Sequence, residues 1–123
     1  MKKVPVSKSV AEATEHLKKS VVEKGFVVFA DIDHQANASS VDLEMPAARV
    51  LLFGNPAAGT KLMQKDITVG FDLPLRVAIV DDNGQTTVVF LSSEHLGEFY
   101  DLAGHPVLEK IESLFGTLVS ELQ

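Results

Sequence analysis

Leu75-Arg76-Val77-Ala78-Ile79-Val80-Asp81-Asp82-Asn83-Gly84-Gln85-Thr86-Thr87-Val88-Val89-Phe90-Leu91 is the stretch that decides the fold of this chain. Two β-branched runs flank Asn83-Gly84, a dipeptide that suits a two-residue hairpin because both of its positions need positive φ. The two runs are therefore expected to pair antiparallel.

Working outward, Arg49-Val50-Leu51-Leu52-Phe53 reads as a strand that ends at Gly54. Phe26-Val27-Val28-Phe29-Ala30-Asp31-Ile32 is apolar on both faces and then alternates, the pattern of a central strand that emerges into solvent at its end. Val4-Pro5-Val6 suits an edge strand, where proline's missing donor can face solvent. Between these, Val10, Ala13, Leu17 and Val21 recur at helical spacing, with Ser9 and Glu12 as a capping box and Gly25 as the stop. Downstream, Ser93 is expected to cap a short helix carrying Leu96, Phe99 and Tyr100. A terminal helix opens at His105-Pro106 and carries Val107, Leu108, Ile111, Leu114, Phe115, Leu118 and Leu122. The segment from His34 to Pro46 is polar with a weak helical tendency around Ser40–Leu43, and Ile67 to Pro74 is an irregular apolar connection.

The order strand, helix, four strands, helix predicts one α+β domain over residues 1–123, with short extra helices in the connections. Its mostly antiparallel sheet has one face covered by the two long helices. The other face meets water or a second subunit, and the apolar residues on both sides of Phe26–Phe29 favour the subunit.

Composition limits the chemistry. The 123 residues contain no cysteine, which removes disulfides, thiolate metal sites and thiol nucleophiles together and fits a reducing, cytoplasmic compartment. A net charge of −6 disfavours nucleic acid as a partner. No signal-peptide core follows Met1-Lys2-Lys3, and no apolar run approaches the roughly 20 residues of a membrane helix.

The loop after Phe53 carries the most distinctive motif. In Gly54-Asn55-Pro56-Ala57-Ala58-Gly59-Thr60-Lys61, Asn55 is expected to cap a helix that has Pro56 at its first position. A phosphate-cradling loop needs lysine directly after its second glycine, whereas Thr60 precedes Lys61, so the capping turn is the better reading. The helix N-terminus after Asn55 keeps the capacity to hold a carboxylate or other small anion. Met45, Met63, Phe53 and Phe71 are candidates to line a pocket beside it, with plain core as the blander reading. Asp31-Ile32-Asp33 lacks the companions of a phosphatase Asp-x-Asp motif, because position 35 is Gln and Asp81-Asp82 belongs to the hairpin. His16, His34, His95 and His105 show no helical metal-ligand spacing, so no metal or other cofactor is expected. His16 is read as solvated, while His34 stands apart because Asp31 or Asp33 can orient its imidazole. Asp72 is expected to tie down the turn before Pro74, and Arg49 and Arg76 to be solvated or paired.

Taken together, Gly25–His34, the run Leu52–Gln64 around Gly54-Asn55-Pro56-x-x-Gly59-Thr60, and Asp72-Leu73-Pro74-Leu75 resemble the prokaryotic family called domain of unknown function 302. The resemblance implies a β-α-β-β-β-β-α fold in the style of the TATA-binding-protein-like architecture, and a homodimer. It implies no reaction. The family's recurrent polar residues correspond to His34, Asn55 and Asp72, with Gly54, Pro56 and Gly59 shaping the turn.

The leading expectation is a non-catalytic homodimeric module that binds a small anionic or partly apolar ligand between the Asn55 helix and the His34 strand end. Its candidate ligand-binding residues are His34, Asn55, Asp72, Gly54, Gly59, Thr60 and Lys61. The alternative is a small hydrolase- or lyase-type enzyme with His34 as general acid or base and Asn55 or its neighbouring amides holding developing negative charge. In a third reading the sheet face is a partner-binding surface.

Overall fold

A computed structural model describes residues 1–123. The elements run β1 (Lys2–Pro5), α1 (Val10–Glu23), β2 (Val27–Asp33), α2 (His34–Ser39), β3 (Ala48–Gly54), α3 (Pro56–Lys65), a 3₁₀ turn (Ile67–Asp72), β4 (Leu75–Asp82), β5 (Gln85–Phe90), α4 (Ser93–Phe99) and α5 (Pro106–Ser120). The five strands form one antiparallel sheet in the order β1-β5-β4-β3-β2. Asn83 and Gly84 close the β4–β5 hairpin with φ of 52° and 89°, the positive values that its sequence demands.

Both long helices lie on one face. Leu51, Phe53, Val77, Ile79 and Val88 point inward and are buried with Ala13, Leu17 and Val21 of α1 and Ile111, Phe115 and Leu118 of α5. Phe53 joins the layers, since its ring meets Phe26 and Phe115 edge-on, each with centroids 6.0 Å apart. Ser9 Oγ accepts the Glu12 N–H at 3.1 Å, and His105 Nδ1 accepts the Val107 N–H at 3.1 Å, so both long helices are capped where the sequence indicates.

The opposite face has no helix over it. Strand alternation and register place Ile32, Val50, Ala78 and Val89 in one row across four strands, with Ala30 and Leu52 in the next. Apolar residues therefore line both sides of the sheet, and only one side is covered.

Four local expectations are corrected. β2 lies at the edge of the sheet rather than in its middle, leaving Val27 and Phe29 exposed, with a register shift between Val28 and Ala30. The polar segment after β2 turns helical at His34 rather than near Ser40, because Asp33 Oδ1 accepts the Ala36 N–H at 2.9 Å and starts α2. Ser92 rather than Ser93 holds the cap position of α4, and Ser93 Oγ instead donates to Glu112 at 2.7 Å. His16 is half-buried against Glu121 at 3.2 Å rather than solvated. Glu121 also receives Lys24 at 2.7 Å and Ser20 at 2.6 Å, and these contacts pull its carboxyl from 4.5 down to about 2.

Candidate functional site

The rim where β3 ends, β2 begins and β4 starts gathers most of the distinctive residues. Gly54 closes β3, and a Cβ there would stand 3.5 Å from the Phe29 ring and 3.7 Å from Pro74, so the strand end is packed from both sides. Asn55 then starts α3 by accepting the Ala57 and Ala58 N–H groups on Oδ1 at 3.0 and 3.3 Å. Its own carbonyl takes the Gly59 N–H at 2.9 Å. Pro56 has no N–H, so the first-turn donors of α3 are all engaged or absent. The expected anion site at this helix N-terminus is therefore closed, because its own cap uses the donors.

Beside this turn lies a cleft of about 590 Å³ between α3 and α5. Phe26, Phe29, Leu73 and Pro74 contribute apolar surface from the sheet side, and Ile111 and Leu114 from α5. Gly54, Asn55, Gly59, Thr60 and Lys61 all line it, as does Lys110 of α5. Lys61 and Lys110 are the only charged residues in the lining, and neither is ion-paired. Of the four residues expected to form a pocket here, Met63 does so. Phe53 is core, Phe71 is 87% exposed, and Met45 sits by Asp33 at the other end of β2.

Asp72 belongs to a neighbouring polar cluster instead. Its carboxylate, only 7% exposed, accepts from the Tyr100 hydroxyl at 2.7 Å and Arg76 at 3.0 Å, and pairs with His95 Nε2 at 3.0 Å. Burial alone pushes this carboxyl up, but the hydrogen bonds from Tyr100 and His95 and the nearby charges outweigh it and hold the group below its ordinary value. The same hydrogen bond pushes the Tyr100 hydroxyl up. The cluster ties the 3₁₀ turn, β4 and α4 together, and Asp72 and Arg76 border a depression of about 300 Å³ that Val50, Ala78 and Val89 also line. Sequence reasoning singled out Asp72 as a turn residue and Arg76 as solvated or paired, but did not name their bond and missed His95 and Tyr100 as partners. Their one signal was that His95 falls on the short helix α4 and Tyr100 just past its end, five residues apart, beside the apolar Leu96 that anchors it.

His34 is at the far end. Val27 pairs with Gly54 whereas Asp33 pairs with Arg49, so six residues of strand, roughly 20 Å, separate His34 from the Asn55 turn. The expected site shared by His34 and Asn55 does not form. Nor does either carboxylate orient the imidazole. Asp33 caps α2, and Asp31 accepts from Arg49 Nη2 at 2.6 Å and Lys18 at 3.0 Å, with the Arg49 bond the largest cause of its lowered carboxyl value. His34 is exposed at the first position of α2.

Comparison with known proteins agrees with this architecture. The chain aligns over 99% of its length with the crystal structure of an uncharacterized conserved DUF302 protein from Bacillus stearothermophilus, covering 97% of that chain with a TM-score of 0.85 and 21% identity. It is also 40% identical over 74 residues to a protein named fluoride-specific ion channel FluC 1 from Brucella suis biovar 1 (strain 1330), covering 60% of this chain and 29% of that protein. FluC 1 of Brucella abortus biovar 1 (strain 9-941) matches over the same length, covering 27% of that protein. The match thus spans less than a third of those relatives' own length. No helix of the present chain is long and apolar enough to cross a membrane. The model of the family described as Domain of unknown function DUF302 matches residues 2–118, and this chain belongs to that family.

Proposed function

We propose that this chain is a non-catalytic binding module that holds a small, partly apolar molecule in the cleft between α3 and α5. One observation carries the reading: five of the seven residues singled out in the sequence line a single apolar cleft of about 590 Å³, a size that suits a small organic ligand. Its lining contains no carboxylate or imidazole, and its only titratable groups are the two lysines.

The module acts as a homodimer joined through the uncovered sheet face. The row Ile32, Val50, Ala78 and Val89 supports this, being apolar across four strands without a covering layer.

Native mass spectrometry of the protein isolated from its own host tests both statements. A dimer that retains a small molecule is the expected result. A Gly59→Leu variant should lose that molecule, because a Cβ at this position starts 3.8 Å from Leu73 Cδ1 and the longer side chain fills the cleft. Retention undiminished in Gly59→Leu would remove the cleft from the proposal. A Val50→Asp variant that stays dimeric in sedimentation would remove the sheet face.

A further inference from the structure

Resting on the cleft reading above, we infer that the ligand is an amphiphile with one carboxylate head, and that Lys61 and Lys110 receive that head at the cleft mouth. The chain carries 17 acidic residues against 11 basic ones, yet the only charges lining this cleft are two lysines from different helices. Neither lysine has a carboxylate partner within the protein, and of the six unpaired lysines (Lys2, Lys3, Lys8, Lys19, Lys61 and Lys110) these two alone line the cleft. An acidic protein that keeps both signs elsewhere but only cations at an apolar cleft is arranged for an anion attached to an apolar body.

The choice of carboxylate over phosphate follows from the donors that remain. Phosphate sites combine lysine with several backbone N–H groups or with the bidentate fork of arginine. Here Asn55 has taken the N–H groups of the α3 first turn, and no arginine lines the cleft. Two ammonium groups and the Thr60 hydroxyl are left, donors enough for the two oxygens of a carboxylate head. The aromatic and aliphatic surface of Phe26, Phe29, Ile111 and Leu114 then takes the apolar body.

The test is titration of ¹⁵N-labelled protein with decanoate and, separately, with neutral decanol, read by amide shifts and calorimetry. Decanoate should move amides of α3 and α5 and bind more tightly than decanol. Lys61→Gln and Lys110→Gln should each weaken decanoate by about fivefold, the scale of an exposed ion pair, and leave decanol unchanged. If both probes shift the cleft amides with equal affinity, the carboxylate assignment fails while the cleft reading stands. If neither probe moves them, the cleft reading fails and takes the head-group assignment with it. A decanoate preference that survives in the double variant overturns the role of the lysines.

Discussion

Replacing Asp72 with alanine should destabilise the fold by about 3 kcal/mol, and the figure can be built from its three partners. The carboxylate is 7% exposed and accepts from Tyr100 at 2.7 Å and Arg76 at 3.0 Å, with His95 at 3.0 Å. Arg76 is 53% exposed, so solvent screens that pair to less than about 1 kcal/mol. The Tyr100 and His95 contacts are half-buried and involve an ionised acceptor, which puts each near 1–2 kcal/mol. For a chain of this length that total lowers the midpoint of thermal unfolding by roughly 10 °C. Urea denaturation of the wild type, Asp72→Ala, Tyr100→Phe and the double variant measures the cycle, in which the Asp72–Tyr100 coupling should be about 1 kcal/mol. The carboxyl is held below its ordinary 3.8 in the folded state. Its contribution is therefore complete above the unfolded value and is lost as pH falls through the lower folded one. The gap between wild type and Asp72→Ala should accordingly hold at neutral pH and narrow only below about pH 4. A loss under about 1 kcal/mol at pH 7, or strict additivity with Tyr100→Phe, would refute the view that this cluster clasps α4 to the sheet.

Phe53→Ala removes a fully buried ring that touches Phe26 and Phe115, and equilibrium unfolding should register a loss of about 3–5 kcal/mol. Asn55→Ala releases the Ala57 and Ala58 N–H groups and should cost about 1 kcal/mol by the same measurement. Glu121→Gln should cost about 1–2 kcal/mol at pH 7, a figure discounted because the native carboxylate is 29% exposed. Its folded value of about 2 lies below the ordinary 4.5, so this stability is present above pH 4.5 and lost as pH falls through about 2. Acid titrations of wild type and Glu121→Gln should converge there.

Most of the architecture was legible because it is specified locally. Asn83-Gly84 sets its own turn, and Ser9, Asn55 and His105 each cap a helix within three residues. The recurrence of Val10, Ala13, Leu17 and Val21 states which side of α1 is buried. Strand position was less legible. An apolar run on both faces marks a central strand only when both faces and both edges are filled by the same chain, and β2 has an open edge and an open face. The helix after β2 was displaced for a related reason. Asp33 reads equally well as a strand-end residue or as a cap, and its hydrogen bond to Ala36 decides between them.

The candidate site divides along the same line. The Gly54–Lys61 run could be found because one turn brings its residues together, whereas Asp72 meets partners 23 and 28 positions away, which no local spacing records. His34 drew attention through two neighbouring aspartates that serve Arg49, Lys18 and Ala36 instead. Proximity in sequence thus overstated His34 and concealed His95. The sheet edges carry the argument one step further. β1 is guarded by Lys2, Lys3 and Pro5, and β2 is disrupted between Val28 and Ala30, so each edge carries a feature that discourages strand addition. The uncovered face carries no comparable protection across Ile32, Val50, Ala78 and Val89. Blunted edges beside an apolar face are the reason the proposed dimer is placed face to face on that surface rather than edge to edge.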